Sequence, residues 1–98
     1  MALTEEQALE LIYVSLGDIN AERVDVAPVR LIPETKLIGS GRDLDSLEIV
    51  NLIVGLETRL AERLKRSVVL VNEDAFGGDH VFRDVGSLAQ HIVRLSKA

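Results

Sequence analysis

The stretch "GRDLDSLEIVNLIVGLE" sets a serine, Ser46, between Asp45 and Leu47, directly ahead of an apolar pattern with helical spacing. A serine hydroxyl in that position has three uses: as a nucleophile, as an ester-forming attachment point, or as part of a helix cap. Nucleophilic catalysis needs a base to take the proton. The two candidate bases are distant in sequence, His80 in a Gly/Asp turn and His91 in the last helical pattern, where it is expected on the solvent side, and no "GxSxG" elbow is present. A metal site has no better footing. Asp43, Asp45 and Glu48 cluster without calcium-loop spacing, and the histidines lack zinc spacing. "GSG" at 39–41 lacks the lysine and serine of a phosphate loop and follows no convincing strand.

Capping and attachment remain. Asp45 with Glu48 three residues later has capping-box spacing, so Asp45 accepts from the first-turn amides while Glu48 reaches back. That division of labour releases Ser46 to be the first helical residue, beside unpaired amides and the positive end of the dipole. A phosphate or phosphodiester fixed there meets favourable electrostatics. The plain alternative is that Ser46 is a good helix starter or a second cap, and local physics leaves both open.

The elements that position this serine follow from periodicity. A first helix is expected over 5–16, capped by Thr4 with Gln7 as box partner, with Ala8, Leu9, Ile12 and Leu16 on its apolar face and Gly17 as its stop. A long connection follows, with two prolines and short apolar clusters, too apolar to be a free linker and expected to lie across the helices. The second helix opens at Asp45 or Ser46, with Leu47, Val50, Ile53, Leu56, Leu60 and Leu64 read as its inward stripe, facing Leu9, Ile12, Leu88 and Ile92. "SVVLV" at 67–71 reads as an extended crossover, and "EDAF" at 73–76 as a short helix capped by Asn72. A last helix is expected over 85–95, with Val85, Leu88, Ala89, Ile92 and Leu95 inward. The sum is a small antiparallel helical bundle.

Composition narrows the function. A chain of 98 residues makes one domain, 1–98, near the lower limit for a core without staples. Aromatic residues are only 3%, so the core must come from Leu, Ile, Val and Ala. There is no cysteine, which is compatible with a reducing, cytoplasmic setting. A net charge of -5 disfavours nucleic acid and favours a basic protein partner. Acidic residues interrupt the amino-terminal apolar run, and no apolar stretch approaches the roughly 20 residues of a membrane span, so a soluble, freestanding monomer without membrane insertion is expected.

"LDSLEIVNLIVGLE" resembles the acyl carrier protein family and its peptidyl and aryl carrier relatives. "TEEQALELIYVSLG", "PETKLIGSGRDLDSL", "NEDAF" and "VFRDVGSLAQHIVRL" are similar to the family's first helix, long loop, short third helix and last helix. The resemblance implies an all-α, antiparallel four-helix bundle of acyl-carrier type, with a long loop after the first helix. It implies that Ser46 carries a covalent 4'-phosphopantetheine arm added by a phosphopantetheinyl transferase, with Asp45 as the preceding aspartate and Leu47 seating the helix. The protein would be a non-catalytic phosphoprotein carrying acyl or aminoacyl groups as thioesters in fatty acid, polyketide, related lipid or nonribosomal peptide biosynthesis. Its partners would be loading, condensing and acyl-transfer enzymes with basic surfaces, docking at Asp43, Glu48, Asn51, Val54 and Glu57. Three departures point to a specialised carrier: Asp43 where the family commonly has glycine, a longer segment between Leu60 and Asn72, and uncharged Asn51 and Gly55 on the outer face. The other class of function is an unmodified helical adaptor.

Overall fold

The computed structural model describes residues 3–38, 41–70 and 81–97. Helix α1 spans Glu5–Glu22. Thr4 Oγ1 accepts the Gln7 amide at 3.1 Å and Gln7 Oε1 accepts the Thr4 amide at 3.0 Å, closing the expected capping box. The helix does not stop at Gly17. Ile19 extends the buried face begun by Ala8, Ile12 and Leu16, and packing of that extra turn outweighs the weak helix preference of one glycine. The chain leaves the helix at Arg23, which is extended, and turns at Asp25 with φ of 63°.

Helix α2 spans Ser46–Leu64, and Lys65 ends it in the left-handed conformation. Its buried residues are Ile49, Leu52, Leu56 and Leu60, whereas Leu47 and Val50 are 68% and 55% exposed. The expected stripe is therefore wrong at Leu47 and Val50, whereas Leu56 and Leu60 lie in the core and Ile53 and Leu64 pack against it partly buried. At about 100° per residue, nine positions separate Leu47 from Leu56 by two and a half turns, which puts them on opposite sides. Repeated steps of three drift off a straight face. Steps of three, four and four, averaging close to the helical repeat, keep Ile49, Leu52, Leu56 and Leu60 on the face that is buried.

Helix α3 spans Val85–Ser96 and is capped by Asp84, whose Oδ1 accepts the Ser87 amide at 2.8 Å. Val85, Leu88, Ala89 and Ile92 are buried as expected, and Leu95 is partly so. His91 is not on the solvent side. It is buried, with Nε2 3.2 Å from the Leu70 carbonyl oxygen. α1 packs against both α2 and α3, and the three share one core that is aliphatic except for the buried Phe82.

The connection from α1 to α2 closes that core. Asn20 exchanges two bonds with the Val29 backbone, at 2.7 and 3.1 Å, and Val29, Leu37 and Leu44 are buried. The segment around Thr35 runs beside the start of α3, with the Leu37 amide donating to Arg83, the Val85 amide to Thr35 and the Gly86 amide to Pro33. Val68 and Leu70 are buried and Val69 is exposed, the alternation of an extended segment.

The described residues thus form an all-α domain of three helices, with one isolated bridge, Lys36 to Asp84, outside named strands. This overturns the expected four-helix bundle of acyl-carrier type. The short helix expected at 73–76, its cap Asn72, and His80 lie outside the described residues.

Candidate functional site

Ser46 is the first residue of α2 and is exposed. Asp45 takes the cap: its Oδ1 accepts the Glu48 amide at 2.8 Å, and Glu48 Oε1 accepts the Asp45 amide at 3.0 Å. The serine hydroxyl is consequently left without a hydrogen bond among the described residues. The Ser46 and Leu47 amides, first in the helix, have no acceptor within it. The serine hydroxyl is therefore on an exposed residue, beside two amides without a helical acceptor and the positive end of the helix.

The backbone leading to Ser46 is held on three sides. Gly41 turns with φ of 79°, a conformation L side chains rarely adopt. The Asp43 amide donates to the Lys36 carbonyl at 3.0 Å. Leu44, only 2% exposed, anchors the chain in the core one residue before the cap. Arg23 completes the frame: Nε and Nη2 donate to the two oxygens of Glu48, each at 2.9 Å, and Nη2 also donates to the Asp43 carbonyl at 2.6 Å. The hydrogen bond from Arg23, aided by the Asp45 amide, outweighs burial and holds the Glu48 carboxyl below its ordinary value of 4.5, while Arg23 is raised by the same bond.

The residues expected to meet a partner fall into different circumstances. Val54 and Asn51 are exposed, and Val54 continues an open apolar row with Leu47 and Val50. Leu47 does not seat the helix in the core. Asp43 is half-buried in the frame, and Glu48 is committed to Arg23. Glu57 is also engaged, since its Oε2 accepts the Leu70 amide at 2.8 Å and ties the 67–70 segment to α2. Arg23 and Leu44 went unnoticed as site residues. Leu44 had a signal, an apolar residue one place before a cap; Arg23 had none, because its partners lie 20 and 25 positions away.

Among the described residues no group of three or more His, Cys, Asp or Glu side chains is placed to hold a metal ion, and no helix is long and apolar enough to cross a membrane. No family model matches the chain, and neither a curated protein nor a solved structure matches it. With three described helices and no matching family, the resemblance to the acyl carrier protein family does not stand, and its pathway labels, fatty acid and polyketide biosynthesis among them, lose their support.

Proposed function

We propose that Ser46 is the attachment point of a 4'-phosphopantetheine arm on which the protein carries acyl or aminoacyl groups as thioesters between partner enzymes. One observation carries this reading: an exposed serine, relieved of capping by Asp45, at the positive end of a 19-residue helix whose approach is tied to Arg23 and Lys36. In the transfer, the Ser46 oxygen attacks the phosphorus next to the pantetheine half of coenzyme A. A new phosphoester bond forms, the pyrophosphate bond breaks, the adenosine bisphosphate leaves, and the serine proton passes to a base of the transferase. The attached phosphodiester then lies near the free Ser46 and Leu47 amides, where negative charge is stabilised. A flexible arm lets one thioester visit several active sites at raised effective concentration.

The row Leu47, Val50 and Val54 gives partner enzymes an apolar strip that starts beside the arm. The same row favours a second reading, an unmodified adaptor that docks through α2. Mass spectrometry separates the two. Incubation with coenzyme A and a broad-specificity phosphopantetheinyl transferase should add one arm to the wild type and none to Ser46→Ala. An unchanged mass for the folded wild type across several transferases leaves the adaptor reading.

A further inference from the structure

We infer that Arg23 is a positioning residue for Ser46, a clamp from the end of α1 that holds the start of α2 in the arrangement a modifying enzyme must meet. The inference rests on the proposed arm attachment and deepens it. Arg23 lies one residue beyond α1, and its guanidinium bonds four groups: both Glu48 oxygens, the Asp43 carbonyl and the Ala27 carbonyl. Two of these partners flank Ser46 in sequence, Asp43 three residues before it and Glu48 two after. Glu48 is also the return arm of the capping box, so the order of contact runs from Arg23 through Glu48 to the Asp45 amide, adjacent to the serine.

The geometry is that of a strong interaction. A guanidinium meeting a carboxylate through two parallel bonds fixes orientation as well as distance, which an ammonium cannot reproduce. The side chains of Arg23 and Glu48 are 9% and 18% exposed, so water competes weakly for the pair. Two other arginines, Arg30 and Arg42, line the same open pocket of about 380 Å³ beside Arg23. Both are exposed, and their guanidinium groups make no hydrogen bond or ion pair among the described residues. Their presence separates two effects: all three bring positive charge to this pocket, and only Arg23 grips the frame of Ser46.

Losing the clamp leaves the 41–46 backbone held by the capping box, Leu44 and the Asp43 amide bond to Lys36. The arrangement recognised by the transferase then becomes one of several, and apparent affinity falls by the fraction of time it is populated. A fraction of about one tenth raises KM for the carrier about tenfold while kcat, set after docking, stays near the wild-type value.

The test measures steady-state arm transfer to the full chain, with coenzyme A saturating, alongside amide hydrogen exchange. Arg23→Gln should raise KM for the carrier about tenfold with kcat within about twofold, and Arg23→Lys should recover part of the loss. Arg30→Gln and Arg42→Gln, which remove the same charge from the same pocket, should stay near wild type. In Arg23→Gln the Asp45 and Glu48 amides should exchange faster while the Leu88 amide in α3 keeps its protection. Unchanged KM and unchanged exchange in folded Arg23→Gln overturn the clamp while leaving arm attachment intact, as does an equal KM rise in the two control variants. A wild type that accepts no arm removes the attachment reading and this role with it. Should Arg23→Gln fail to fold, Glu48→Gln, which weakens the same contact from the other side, should give the KM and exchange changes instead, and wild-type values in it overturn the clamp.

Discussion

At Ser46 the division between two neighbouring residues decides what the serine is free to do. Asp45 bonds the Glu48 amide, whereas Ser46 bonds no side-chain partner among the described residues. Removing the cap should therefore matter and removing the serine should not. Asp45→Ala is expected to cost about 1 kcal/mol, the usual loss of an N-cap, and Asp45→Asn only a small part of that. Ser46→Ala should stay within about 0.5 kcal/mol of wild type, as expected for an exposed side chain without partners. Urea melts of the three variants check this. A large loss in Ser46→Ala would show that the hydroxyl supports the fold and is not held free for attachment.

At the scale of the helix, α2 shows two apolar faces with different fates. Leu56 lies in the core with no exposed surface, and Leu56→Ala should cost about 2–5 kcal/mol through lost burial and the cavity left behind. Leu47→Ala, at a position 68% exposed, should cost less than about 0.5 kcal/mol and instead weaken binding to a partner enzyme. The contrast is measured by denaturant midpoint on one side and by KM for arm transfer on the other. α1 offers a complementary test. Gly17 lies inside the helix with nothing within 4 Å of the place its Cβ would take, so Gly17→Ala should stabilise the protein by about 0.5–1 kcal/mol. A charge test of docking must respect what Glu57 already does. Glu57→Gln keeps an oxygen for the Leu70 amide while removing the charge, whereas Glu57→Lys removes both.

Across the whole molecule, two carboxylates make stability depend on pH, Glu48 by tying α2 to the end of α1 and Asp84 by capping α3. Glu48 is held below its ordinary value of 4.5 first by the Arg23 hydrogen bond, against the opposing effect of burial. For Asp84 burial is the largest influence and pushes upward, but bonds from the Ser87 amide and hydroxyl, with Arg83 alongside, together hold it below 3.8. A carboxyl depressed in the folded state binds its proton more readily when unfolded. Its contribution is thus complete above the unfolded value and is lost as pH falls through the folded one. Stability should be flat above pH 4.5 as far as these two groups are concerned, then decline on acidification. Arg23→Gln should make the decline shallower, because Glu48 then approaches its ordinary value. Urea midpoints across an acid series at constant salt would show this, and parallel curves for the two proteins would mean that Glu48 is not depressed by Arg23.

The sequence by itself determined the features that rest on neighbouring residues. Both capping boxes, the start of α2 at Ser46, the last helix and the extended path through Val68 and Leu70 follow from contacts within a few positions, which spacing encodes directly. That Ser46 is relieved of capping also follows, because the Asp45 cap is local. Tertiary structure decided the rest. Which side of α2 faces inward could not be read from spacing, because "LEIVNLIV" is apolar nearly all the way round and only the position of α1 selects Ile49, Leu52 and Leu56 over Leu47 and Val50. Gly17 became helical because Ile19 had a core to enter, and His91 was drawn inward by a segment 21 residues away. Arg23 belongs to the same class. Its two bonds to Glu48 span 25 positions, and no local pattern marks a cation whose partner arrives only when the loop folds back.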